Sequence, residues 1–153
     1  MKNSNQTLEA NSIQKMIVDD YRKTFKGKVD DAQIEKNAGY LLSDLTGYAA
    51  QSNIVSLIVY AKLQVTLTSQ PSPNNLSGNA GGIFTPGAGV DFGTIYTSDL
   101  PGLLANTTNF FLASTAGYFT VVFFDSNHTS LGSFQGGGPT TVFGTGGGTG
   151  TWE

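Results

Sequence analysis

The run Gly117–Asp125 restricts the fold more than any other part of the sequence, because it is nearly pure in β-branched and aromatic residues. Such residues favour a strand, and the turn-forming Asp125-Ser126-Asn127 ends it. Successive side chains of a strand point to opposite faces, so Phe119, Val121 and Phe123 form an apolar face that must be buried. The opposite face consists of Tyr118, Thr120, Val122 and Phe124. This mixed face predicts the outer surface of a sheet or barrel.

Further short apolar segments, separated by Gly, Asn, Ser and Pro, follow from about residue 54 onward. Such closely spaced segments are typical of antiparallel strands joined by short turns. The predicted strands are 54–68, 80–84, 90–97, 109–114, 117–125, 131–135, 140–143 and 149–152. Counted once each, they predict an all-β fold, a compact eight-stranded antiparallel barrel. Ser98 is predicted to cap one short helix, whose residues Leu100, Leu103 and Leu104 close one end of the barrel.

The segment 54–68 is either one long strand that bends round a barrel corner or two strands. Its odd-numbered residues alternate with the others at the period of a strand, which predicts an unbroken inward face. That face consists of Val55, Leu57, Val59, Ala61, Leu63, Val65 and Leu67.

The first 50 residues differ from the remainder in charge and in period. Seven of the eight basic and seven of the eleven acidic residues precede residue 54. Helical spacing over 8–26 ends at Gly27, and a second helix begins at Asp30 or Asp31 and ends by Gly47. We therefore expect a charged, helical N-terminal extension over 1–50, before a barrel domain over 51–153. The extension is a helical hairpin or a marginal helical tail that orders against a partner. An amphipathic membrane-surface segment is the alternative, although mixed charges give it no basic polar face.

The composition excludes several classes of protein. The chain has no cysteine, so it has neither disulfides nor a thiol nucleophile, and its net charge of −3 does not favour nucleic acid as a partner. No run reaches the roughly 18 apolar residues that span a bilayer, and the polar start does not resemble a signal peptide. The glycine-rich pieces lack the Lys-Ser/Thr of a phosphate loop. We expect no cofactor and no metal.

Four side chains deserve consideration as catalytic groups. His128, the only histidine, lies in a predicted hairpin turn, where it is expected to be solvated. Asp91 is interpreted as a strand-surface residue, Asp99 as the start of the short helix, and Asp125 as a turn former. No pair of carboxylates and no Ser-His-Asp set stands out, so no catalytic residue is assigned and the sequence predicts no enzyme.

Several motifs resemble a known family. They are Gly82–Leu100, Phe123–Ser126, Leu131-Gly132, Gln135–Gly137 and Gly146–Trp152. Over roughly residues 50–152 the chain resembles the virulence-associated (Vap) proteins of an actinobacterial pathogen of macrophages. The resemblance implies a compact eight-stranded antiparallel barrel with one short helix and no evident deep ligand cavity. It also implies a secreted or surface-held protein that aids persistence in the phagosome and is linked to effects on endolysosomal membranes. It supplies no catalytic residues.

Three functions remain open at this point. The first is a non-enzymatic effector that acts through its barrel surface on a host membrane or a host partner. The second is a lipocalin-like carrier of a small apolar ligand, which is disfavoured because eight strands leave room only for side chains. The third is a hydrolase, for which the sequence shows no constellation of residues.

Overall fold

The computed structural model describes residues 4–43 and 45–153, with side chains from residue 15 onward. The chain forms two compact units, residues 1–44 and residues 45–153. The first contains two helices and the second contains the strands.

The first unit is a pair of helices, α1 (Ser4–Phe25) and α2 (Asp31–Leu41). Between them Gly27 has a φ of 81°, a conformation that glycine adopts without strain. The Asp30 carboxylate accepts a hydrogen bond from the backbone N–H of Ala32, which confirms Asp30 as the N-cap of α2. Buried Asn37 donates from Nδ2 to the hydroxyl of Tyr21 at 2.7 Å. These contacts join α1 to α2 as a helical hairpin.

The second unit is a closed antiparallel barrel of eight strands with the order β1-β2-β3-β8-β5-β6-β7-β4. The strands are β1 (Thr46–Ser56), β2 (Tyr60–Leu67), β3 (Asn75–Phe84), β4 (Gly87–Thr97), β5 (Asn109–Ser114), β6 (Phe119–Phe124), β7 (Ser130–Gly137) and β8 (Gly144–Trp152). The short helix α3 (Leu100–Asn106) follows β4. The predicted barrel is therefore confirmed.

The strand boundaries differ from the prediction at several places, and β3, for example, begins at Asn75 and not at residue 80. The segment 54–68 is divided between β1 and β2, which pair with each other through a tight turn at 57–59. The second helix ends at Leu41, several residues before Gly47, and Thr46 already pairs with Thr97, so residues 46–50 belong to β1. Residues 140–143 form only an isolated bridge, and the last strand begins at Gly144. The predicted count of eight strands was still right, because two errors cancelled. The prediction counted β1 and β2 as one strand, and it counted 140–143 as a strand that does not form.

The turn at 57–59 also reverses part of the predicted inward face. Ala61, Leu63, Val65 and Leu67 are buried as expected, whereas Val55, Leu57 and Val59 are exposed. Residues before the turn follow the opposite parity, so Ile54 points inward on β1. A tight turn resets the alternation, and a one-residue change moves every side chain to the other face.

The interior of the barrel is packed with large side chains. Phe119, Val121 and Phe123 are all fully buried, which confirms the inward face of β6. On β8, which is two strands away from β6 in the barrel, the inward positions before Trp152 are the glycines 144, 146, 148 and 150. These residues give the aromatic rings room. For example, a Cβ at Gly146 would lie 2.7 Å from Cζ of Phe84.

The outer face of β6 is buried as well, so its assignment to the barrel surface was wrong. Every residue of β6 is buried, including Thr120, Val122 and Phe124, and so is the neighbouring Tyr118. A continuous apolar run is typical of a strand buried on both faces, and three of these four side chains are large and apolar.

The connections between strands define two ends of the barrel. The hairpin end carries the connections β1–β2, β3–β4, β5–β6 and β7–β8. The helix end carries the connections β2–β3 and β6–β7 together with α3. Leu100 and Leu103 of α3 join the core there, and Leu104 packs against it, as predicted. The N-cap of α3 is Asp99 rather than the predicted Ser98, because the Asp99 carboxylate accepts the backbone N–H of Gly102.

Candidate functional site

A gap in the ladder between β4 and β7, near the hairpin end, provides the candidate site. The pairing of β7 with β4 ends at Gly137 opposite Phe92, although β4 itself begins at Gly87. The segment 138–143 continues along β4 as irregular backbone. Val90 donates to the carbonyl of Pro139, and Thr141 donates to the carbonyl of Ala88. Asp91 therefore lies where regular sheet gives way to loop.

Asp91 is buried inside the barrel and not on its surface, so the sequence interpretation of this residue was wrong. Its exposed fraction is 1%, and neither carboxylate oxygen has a hydrogen-bond partner among the residues that the structure describes. Directly opposite on β1 lies buried Ser52, whose hydroxyl is also unpaired. Burial disfavours the charged form and raises the pKa of Asp91 to about 6. Among the described residues, Asp91 is the only charged residue that is buried.

A cavity of about 230 Å³ adjoins Asp91. One wall is the β5–β6 turn, residues 115–119, and the other consists of Gly137, Gly138, Thr140 and Phe143. The walls thus combine the rings of Phe119 and Phe143 with threonine hydroxyls. The cavity is at the hairpin end, and Phe119 of the packed core forms part of its wall.

The other acidic candidates and the histidine lie at the opposite end of the barrel. Asp99 caps α3, and Asp125 accepts the backbone N–H groups of Asn127 and Thr129 at 2.9 and 3.0 Å. His128 is exposed in the same turn, with a φ of 60°. Asp99 and Asp125 therefore have the structural roles that the sequence predicted, and the strand topology does not bring either of them to Asp91. Among the described residues, no three His, Cys, Asp or Glu side chains group as a metal site.

The hairpin end also exposes a cluster of large apolar side chains, which the sequence analysis missed. We call it the apolar tip: Leu57, Ile58, Val59 and Tyr60 from the β1–β2 turn, with Ile83 at the end of β3. Leu57, Val59 and Ile83 are 72%, 67% and 80% exposed. The backbone N–H groups of Gly82 and Phe84 donate to the carbonyls of Val59 and Ile58, which holds Ile83 beside the turn.

The turn that carries the apolar tip is strained. Ile58 has a φ of 78°, and the N–H of Val59 donates to the carbonyl of Leu57, two residues back, at 3.0 Å. This pattern is a γ-turn with a positive central φ, which is a rare conformation. A β-branched residue at such a φ is an outlier, and conformations of this kind cluster at functional sites.

The fold and site define a class: a small, packed antiparallel barrel with one buried carboxyl and an exposed apolar tip. A family model described as Rhodococcus equi virulence-associated protein matches residues 3–153. The chain belongs to this family, which confirms the resemblance drawn from the sequence.

Two solved structures of Rhodococcus equi are similar to this chain. The virulence-associated protein VapD has 34% identity and a TM-score of 0.68, covering 72% of this chain and 100% of its own. The virulence-associated protein VapB has 37% identity and a TM-score of 0.65, covering 72% of this chain and 98% of its own. The comparison with curated proteins gives no match. In the part of the chain that the structure describes, no helix has the length and apolar character to cross a bilayer.

Proposed function

We propose that this protein is a non-enzymatic virulence-associated effector that acts through its barrel surface on a host endolysosomal membrane or a host partner. The observation that carries the proposal is the apolar tip. Monomeric proteins seldom expose contiguous apolar clusters of this kind unless they bind something. In this proposal the protein works outside the bacterium, secreted or held at its surface, as the family resemblance implies.

The chemistry of the apolar tip supports a membrane or an apolar protein surface as its target. No charged residue occurs in 55–61 or in 80–90, so little polar surface has to be desolvated when the tip is covered. Full burial of a leucine, valine or isoleucine side chain contributes about 1.5–3 kcal/mol. Tyr60 lies at the base of the turn, and its hydroxyl donates to the side-chain oxygen of Asn79. A tyrosine at this position suits the boundary between acyl chains and water.

The packed interior argues against a lipocalin-like carrier. An apolar cargo on the barrel axis would have to displace side chains such as Leu63, Phe110 and Phe134, all of which are fully or nearly fully buried. The alternative function therefore has less support than the surface mechanism.

Co-sedimentation of the full chain with phosphatidylcholine vesicles, with and without phosphatidylserine, tests the membrane part of the proposal. We expect binding that falls at least about tenfold when Leu57 and Val59 are both changed to serine, because two apolar side chains are lost from the contact. Phe92→Ser is the matched control, since Phe92 is 59% exposed on the barrel wall outside the apolar tip.

The proposal makes the polar candidates irrelevant to binding. Asp125→Asn and His128→Ala are expected to bind vesicles like the wild type, with a shallow dependence on salt. Equal binding by the double serine variant and the wild type would contradict the role of the apolar tip. Binding that disappears between low and physiological salt would instead indicate electrostatic docking.

A further inference from the structure

Asp91 has no structural role comparable to those of the other carboxylates in the barrel. Asp99 and Asp125 are satisfied by backbone N–H groups, whereas both oxygens of Asp91 are buried and have no partner in the described part of the chain. An unpaired buried polar group costs free energy, and native structures pair the large majority of such groups. Asp91 borders a cavity, and a partner from outside the chain has room there once the buried carboxylate turns toward it.

The cavity determines the size and chemistry of that partner. Its 230 Å³ exceeds the roughly 150 Å³ of an engineered apolar cavity that binds benzene, so it has room for a small organic molecule. Asp91 is the only charged residue among those described as lining it, and Tyr118 is the only other titratable one. Thr115 and Thr140 add hydroxyl groups, while Phe119 and Phe143 add aromatic rings. An occupant with one polar cationic end and an apolar body matches this wall.

The donor set favours an organic cation over a metal ion. Calcium and magnesium are held by six or more oxygen ligands, usually with several carboxylates, and Asp91 is a single carboxylate. An ammonium group needs only hydrogen-bond acceptors, and the two unpaired Asp91 oxygens are acceptors at the edge of this cavity. Aromatic faces also attract ammonium groups.

We propose that the cavity beside Asp91 is a binding site for a small primary amine, whose ammonium group pairs with the Asp91 carboxylate while its apolar body lies against Phe119 and Phe143. The pairing supplies the charge-assisted hydrogen bonds that the buried carboxylate lacks. The site is separate from the apolar tip and does not depend on the membrane proposal.

The test is a titration of the isotopically labelled full chain with benzylamine, followed by backbone amide chemical shifts. We expect saturable shifts confined to residues 115–119 and 137–143 and to the strand around Asp91. Benzyl alcohol, which has the same ring and no charge, is the ligand control and should bind at least about tenfold more weakly.

Two variants distinguish the contribution of the Asp91 carboxylate to benzylamine binding from the contribution of the cavity walls. Asp91→Asn should weaken benzylamine binding at least about tenfold, while Asp125→Asn, the same change in an exposed turn, should leave it unchanged. Gly117→Val is independent of Asp91. Gly117 lines the cavity, and its added Cβ would be 3.8 Å from the nearest atom, so the fold is expected to tolerate it. The valine side chain should reduce benzylamine binding because it fills part of the cavity.

Binding should also weaken as the pH falls from about 7.5 to about 5, because the carboxyl is neutralised while the amine keeps its charge. No charged group faces Asp91 from β1, where Ser52 lies opposite, or from the two cavity walls described above. The absence of saturable shifts in the wild type, equal binding of amine and alcohol, or unchanged binding by Asp91→Asn would each overturn the proposal. Should Asp91→Asn fail to fold, the alcohol comparison and Gly117→Val still decide it.

Discussion

The two ends of the barrel treat the same kinds of side chain in opposite ways. At the helix end, Leu100 and Leu103 fold inward against the core, and Asp99 accepts a backbone N–H. At the hairpin end, Leu57 and Val59 point into solvent, and Asp91 is buried without a partner. Apolar groups outside and a carboxyl inside both cost stability relative to the reverse arrangement.

This difference separates a part of the molecule that stabilises the fold from a part available for function. Real proteins break the rules of local consistency chiefly at functional sites. The hairpin end breaks three of them: an exposed apolar cluster, a buried unpaired carboxyl and a β-branched residue at positive φ. Both of our proposals therefore fall at the same end, although they use different residues.

The largest expected effect is the difference in the free energy of unfolding between an alanine substitution at Phe123 and one at Leu57. Phe123 is fully buried toward the helix end, with its ring centroid 5.4 Å from that of Trp152. Phe123→Ala should lower the free energy of unfolding by about 3–5 kcal/mol through lost burial and a cavity. Leu57→Ala, at a side chain 72% exposed, should change it by less than about 0.5 kcal/mol. Urea denaturation measures both. A loss under about 1 kcal/mol for Phe123→Ala would mean that this face is not core.

The sequence predicted the barrel because its signals are local. The strand over 117–125 and the interior face of Phe119, Val121 and Phe123 follow from residue type and period alone. The outer face of the same strand did not follow, because burial of Val122 and Phe124 depends on what surrounds the strand in space. The run Phe119–Phe124, in which only Thr120 is polar, was the available signal for burial on both faces.

The candidate site was predictable only in part. Asp91 shares a strand face with Ile95, which has 0% exposure, but in the sequence the opposite face, with Val90 and Phe92, is the more apolar one, so alternation did not indicate which face is buried. Carboxylates are rarely buried, which favoured the prediction that Asp91 lies on the strand surface, and that prediction was wrong. The apolar tip could not be found because the run Val55–Leu67 has one period throughout. Only the turn at Ile58, with its unusual φ, resets the parity.

The second prediction compares how removal of the Asp91 and the Asp99 carboxylates changes the pH dependence of the free energy of unfolding. The folded-state pKa of Asp91 is about 6, above its ordinary value of 3.8, so the folded state binds the proton more tightly. The stability associated with this proton is present at low pH and is lost as the pH rises through about 6. Between about pH 7.5 and about pH 5, the wild type should gain about 1 kcal/mol relative to Asp91→Asn.

Urea denaturation at the two pH values measures this gain, and Asp99→Asn is the control. Asparagine is as good an N-cap as aspartate, so that variant should fold like the wild type, and it is the reference for the same Asp→Asn change outside the barrel interior. A response of Asp91→Asn equal to that of the wild type would show that Asp91 titrates normally, which would remove this difference between the ends.

The smallest effect concerns the strain at Ile58. Replacing Ile58 with alanine or with glycine removes the same side chain beyond Cβ, so the difference between the two variants reports on the backbone. At a positive φ, alanine is penalised by the contact of its Cβ with the chain, and glycine is not. Ile58→Gly should therefore be more stable than Ile58→Ala by about 0.5–1 kcal/mol. The same pair of variants at Leu57, which is not among the residues with positive φ, should have the opposite sign, because glycine there only adds freedom to the unfolded chain.

The helix end also has a residue at positive φ, His128, but histidine is among the residues that tolerate this region. If thermal or urea melts rank the alanine variant at 58 above the glycine variant, the turn is relaxed, and strain no longer distinguishes the hairpin end from the helix end.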